Sequence, residues 1–106
     1  MPILIYCSVN MIMNKQEIDK NLKQLNGWQL KEGNKIFKEY MFEKSETAVK
    51  FLNDIGNASN KEGHHPVATW VYDKVSIMLW THSVNGLTEN DFKMAEKFDE
   101  IYRKYN

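Results

Sequence analysis

The chain has one cysteine, two prolines, a single arginine and no net charge, and the first and last of these each close a class of function. The lone Cys7 cannot form an internal disulfide, which excludes a disulfide-stapled scaffold and points to a reducing, cytoplasmic setting. Lys plus Arg and Asp plus Glu both number 14, so no overall basic field draws nucleic acid or an anionic membrane. No apolar run approaches the length of a transmembrane helix. There is also no CxxC pair, no glycine-rich phosphate loop and no serine nucleophile elbow. Thirteen lysines beside the one arginine read as genome composition bias.

What is present fits one small domain. The 106 residues are 42% hydrophobic, enough for a modest core that association would reinforce, since small domains bury a lower share of their surface. Asn14 is a good N-cap with Glu17 in the capping-box place, and Ile18, Leu22 and Leu25 share one helical face that ends at Asn26-Gly27. Trp28 to Leu30 opens a strand, Glu32-Gly33-Asn34 turns, and Lys35 to Phe42 returns. In that return strand Phe37 and Met41 lie on one face, and Ile36, Tyr40 and Phe42 on the other. Ser45 is read as the cap of a second helix, with Ala48, Val49, Phe51, Leu52, Ile55 and Ala58 inward and Gly63 as its stop. Val67 to Tyr72 and Val75 to Thr81 are strands joined by a tight turn at Asp73-Lys74. Thr88 caps a last helix, with Asp91 at N3, a Leu87–Phe92 staple, and Phe92, Ala95, Phe98 and Ile101 buried.

The expected fold is therefore α+β: a four-stranded antiparallel sheet with three helices packed on one face, in the order α-β-β-α-β-β-α. Residues 14–106 form that domain and residues 1–13 an N-terminal extension. Ile3 to Cys7 could be an edge strand, a disordered extension or translated upstream sequence, with the domain starting near Met11 or Met13. An ordered or partly ordered extension outside the core is the reading adopted.

All three histidines fall in two short pieces, Gly63-His64-His65-Pro66 and Trp80-Thr81-His82-Ser83. Imidazole titrates near physiological pH and can both take and give protons there. A hairpin between the two pieces brings the start of its first strand beside the end of its second, so His64 and His65 should converge on His82. Neighbours in an extended segment point to opposite sides, so His64 and His65 should differ in role.

His64-His65-Pro66, Val71-Tyr72-Asp73-Lys74-Val75, Thr81-His82 and Gly86-Leu87-Thr88-Glu89-Asn90-Asp91 together resemble pterin-4a-carbinolamine dehydratase. The spacing from His65 to His82, Gly27-Trp28 and Ile36-Phe37-Lys38 extend the likeness from about Lys15 to the C-terminus. The resemblance implies a dehydratase of 4a-hydroxytetrahydropterin that needs no cofactor and forms homodimers or homotetramers, acting in pterin recycling. Presence in the nucleus is left open. It implies His64 and His82 as an acid/base pair, with His65 orienting the pterin and open to a share of proton duty. Gly63, Trp80, Thr81 and Ser83 would line the pocket with the histidines. Asp91 would serve as the N3 cap or orient His82. Three positions depart from the family pattern: Asn60 for an acidic residue, Gly63 for Asp or Asn, and Trp80 for a small one. The indole would then narrow the pocket or stack on the pterin.

Two other classes stand beside this reading. Three imidazoles can bind zinc, although adjacent His64 and His65 would struggle to share one ion and no paired carboxylate supports them. The other class is a dimerisation cofactor or binding module, which would not need the histidines.

Overall fold

The computed structural model describes residues 11–105. Its elements are α1 (Lys15–Leu22), β1 (Gln29–Lys31), β2 (Lys35–Met41), α2 (Ser45–Glu62), β3 (Val67–Val71), β4 (Lys74–Leu79) and α3 (Glu89–Tyr102), with short 3-10 turns at His82–Val84 and Arg103–Tyr105. The antiparallel sheet runs β1-β2-β4-β3, and three helices pack against it. The expected α-β-β-α-β-β-α order is the observed one. The reading of Ile3 to Cys7 lies outside the described residues.

Period-2 patterning fixes which way the central strands face. Ile36 and Tyr40 of β2 and Val75, Ile77 and Leu79 of β4 are buried beneath the helices. Ile36 pairs with Leu79 and Tyr40 with Val75, so the apolar sets lie side by side. Above them Tyr40, Phe42, Phe51 and Tyr102 form a ring cluster, with Tyr40 4.8 Å from both Phe51 and Tyr102. Such pairs contribute roughly 0.5–1.5 kcal/mol each beyond their area burial.

The helices start largely as their local chemistry dictates. Asn14 and Glu17 close a reciprocal capping box on α1 at 2.9 and 3.0 Å. α1 then ends at Leu22, short of the expected Leu25, although Leu25 still packs on the core. Ser45 is not the cap of α2. It is the first helical residue, and extended Lys44 holds the cap position without a side-chain bond. The inner stripe of α2 is Ala48, Phe51, Ile55 and Ser59, and Val49 is turned out to solvent.

The β3–β4 turn sits one residue earlier than Asp73-Lys74. Val71 pairs with Lys74, so Tyr72 and Asp73 form the loop, and Tyr72 takes φ 53°. Two-residue hairpin loops require a positive φ of this kind, and placing Val75 on the core face fixes the register. β3 is exposed along its whole length as the outer strand, and Trp70 and Val71 are exposed with it.

Candidate active site

The site forms where α2 ends and β4 ends. Gly63 adopts φ 68°, a left-handed conformation open to glycine at little cost, and its N–H and that of His64 both reach Ser59 O. That stop turns the chain out through His64, His65 and Pro66 into β3. Opposite, Thr81 and Gly86 exchange backbone hydrogen bonds at 2.8 and 3.3 Å and pinch off the turn that carries His82 and Ser83. The cleft between them has a volume of about 430 Å³ and is lined by Gly63, His64, His65, Pro66, Val67, Thr81, His82 and Ser83.

The three imidazoles meet there, each held differently. His64 Nε2 lies 2.6 Å from Oδ1 of Asp91, whose side chain is fully buried. The other carboxylate oxygen accepts from Thr81 Oγ1 at 2.8 Å and from Thr88 N at 2.9 Å. Thr81 has one hydroxyl proton, and with that proton on Asp91, the 2.8 Å contact between Thr81 and Thr88 runs from Thr88 to Thr81. An Nε2–H on the carboxylate leaves the lone pair of His64 on Nδ1. His65 Nε2 lies 2.9 Å from Asn60 Oδ1 on the exposed side. His82 stacks on Trp80, with ring centroids 4.2 Å apart and planes 17° from parallel.

Six of the sequence candidates therefore line the cleft: Gly63, His64, His65, Thr81, His82 and Ser83. Two stand behind it. Trp80 backs His82 and does not line the cleft. Asp91 is both the N3 cap and a partner of His64, not of His82, because α3 starts beneath the end of α2. Thr88 and Lys35 also belong to the site's surroundings, and the sequence does not mark either as a site residue. The Thr88–Asp91 spacing signals a cap, which hides its second use, and nothing local marks Lys35, whose ammonium lies 4.9 Å over the Trp80 ring. Among the described residues, no three His, Cys, Asp or Glu side chains are grouped to hold a metal ion, and no helix is long and apolar enough to cross a membrane.

Fold and site define a small α+β domain whose sheet ends in an open, histidine-lined cleft. The family model for pterin 4 alpha carbinolamine dehydratase matches residues 11–101. Proteins of Microcystis aeruginosa and Rickettsia canadensis, both named provisionally as pterin-4-alpha-carbinolamine dehydratases, are 38% and 40% identical to it. The first alignment covers 95% of this chain and 90% of the relative, the second 82% and 81%. A crystal structure of a transcriptional coactivator/pterin dehydratase from Brucella melitensis superposes with a TM-score of 0.83 at 34% identity, covering 87% of this chain and 99% of that one. A pterin dehydratase-like RuBisCO assembly factor of the alpha-carboxysome shares the fold, with a TM-score of 0.64 at 20% identity over 73% of this chain and 90% of its own. The chain belongs to the pterin 4 alpha carbinolamine dehydratase family.

Proposed function

We propose that the chain catalyses loss of water from 4a-hydroxytetrahydropterin, giving quinonoid dihydropterin in tetrahydrobiopterin recycling, as a cytoplasmic hydro-lyase. The observation that carries this reading is His64, fixed on a buried carboxylate, sharing one cleft with His82. With Nε2–H committed to Asp91, His64 has Nδ1 free to take the proton from N5. His82 delivers a proton to the departing hydroxyl. The C4a–O bond breaks, the N5 lone pair forms the N5–C4a double bond, and water leaves. Electrons stay within the pterin, so the step as written calls for no redox partner or metal. His65, tied to the neutral Asn60, orients the ring, while Gly63, Thr81 and Ser83 offer contacts along the cleft.

The test is whether purified protein accelerates loss of a synthetic 4a-hydroxytetrahydropterin beyond its spontaneous rate. His64→Ala and His82→Ala should each lose about 10²-fold or more with the fold retained, as expected for a positioned proton-transfer group. Near-full turnover in both variants would sink the assignment. Chelators should leave the rate alone, and inactivation reversed by a divalent ion would replace this mechanism with a metal-dependent one.

The proposal includes a homodimer or homotetramer. Among the described residues β3 pairs on one side only, and Val67, Trp70 and Val71 on it and Tyr72 in the turn after it are between 47% and 71% exposed, a surface a second copy would cover. Sedimentation should show more than one copy at micromolar concentration, and a monomer there would count against it. The same surface, with the coactivator half of the Brucella protein's description, supports a second reading as a binding module. An inactive protein that still holds a partner would favour that one.

A further inference from the structure

His82 has the weakest mechanical support of the three histidines. It sits exposed on a 3-10 turn, and among the described residues no hydrogen bond holds its ring. An imidazole so mounted samples several rotamers, whereas proton transfer needs one. The stack on Trp80 is what orients it.

Trp80 is itself held. It follows Leu79 at the end of β4, where β2 runs alongside with Ile36 opposite Leu79, so the register brings Lys35 next to Trp80 on the sheet face away from the helices. Lys35 Nζ lies over the indole, donates to Asn34 Oδ1 at 3.1 Å and pairs with Glu32 at 3.3 Å. The Asn34 amide reaches the Asn85 carbonyl at 3.3 Å, on the loop that carries His82. The first residue of β2, Lys35, thus holds the indole, and the β1–β2 turn holds the histidine loop through Asn34.

We infer that Trp80 is a positioning residue for His82: it sets the plane of the imidazole and acts on the reaction through that ring, without touching the substrate. This rests on the acid/base reading of His82 given above. A fixed ring keeps its nitrogen aligned with the departing hydroxyl, and misplacement by an ångström costs on the order of 10²-fold in rate. Lys35 supports the indole and has a smaller effect in the same direction.

The experiment compares the whole protein with Trp80→Leu and Trp80→Phe on the synthetic carbinolamine, and follows the His82 ring protons by NMR, assigned with His82→Gln. Trp80→Leu should lower kcat about tenfold or more with KM unchanged, because orientation is lost and binding is not. Trp80→Phe, which keeps a ring to stack on, should restore most of kcat. The His82 ring protons should be shifted upfield by the indole in the parent protein, move back in Trp80→Leu and return upfield in Trp80→Phe. An unchanged kcat in Trp80→Leu would overturn the inference. So would a raised KM at constant kcat, which would mean that the indole touches the substrate. If the parent protein shows no turnover, the dehydratase reading fails, and the ring protons decide the stack alone. Unshifted signals in the parent protein would then overturn it.

Discussion

α3 turns two carboxylates inward, Asp91 and Asp99, about 12 Å apart along the helix by its 1.5 Å rise per residue. Both sit among donors, yet the donors differ in kind. Asp91 holds a backbone N–H, a threonine hydroxyl and the imidazole of His64, which opens onto the cleft. Asp99 holds the Lys38 ammonium at 2.7 Å, the Tyr40 hydroxyl at 2.5 Å and the Trp28 indole N–H at 3.1 Å. All three serve here as donors to the carboxylate. A carboxylate with such partners fastens α3 to β2 and to the entry of β1. One whose partner is an imidazole, able both to give and to take a proton, can take part in chemistry. The residue type and helix are shared, so the partner decides the use.

Removing each carboxylate should separate the two uses. Asp99→Ala strands an ammonium, a phenol and an indole N–H in a mostly buried place, and breaking a buried pair from one side costs about 3 kcal/mol or more. Urea unfolding should show that loss, while the folded fraction turns over at the parent rate. Asp91→Asn comes next in size. Asparagine keeps an oxygen for Thr88 N but presents an amide to His64, which undoes the tautomer. Turnover should drop about 10²-fold, with stability down by only about 1 kcal/mol. Equal losses of turnover in both variants would erase the distinction.

The sequence made Asp91 partly legible and left Asp99 invisible. Thr88 and Asp91 are three residues apart, so their contact is a local motif, as is the Asn14–Glu17 box. The convergence of the histidines followed from alternation in β4, a rule with a reach of two residues, and the Gly63 stop from one conformational need. Trp28 and Asp99 meet across 71 positions and Lys38 and Asp99 across 61, and no periodicity reports such a pairing. The same blindness covered Trp80, whose neighbour depends on how the loop from His82 to Gly86 folds back. Val49 failed for another reason. Its place on the helical wheel borders the inner stripe of α2, and the width of that stripe is set by what packs on it, not by the helix.

The smallest expected effect is also the sharpest probe of the Asp99 cluster. Burial, first, and then the hydrogen bond to Asp99 and its negative charge, with Tyr102 adding, hold the Tyr40 hydroxyl far above the usual tyrosine pKa of about 10. In the unfolded chain that proton leaves at about pH 10, whereas the native state keeps it. Below that pH both states are protonated and this difference contributes nothing to the pH dependence. Above it the native state binds more protons than the unfolded one, so stability falls as pH rises, by up to about 1.4 kcal/mol per pH unit from this group alone. Tyr40→Phe keeps the packed ring and leaves Asp99 with Lys38 and Trp28. At neutral pH it should cost about 1 kcal/mol without changing turnover, since the cleft is untouched. Above about pH 10 the variant lacks the titrating hydroxyl, so the gap between the two proteins should close and then reverse. Urea unfolding of both proteins across that alkaline range measures the gap directly. Parallel curves would show that other groups set the alkaline limit and that Tyr40 contributes nothing to it. A loss of turnover at neutral pH would show that the two ends of α3 are coupled after all.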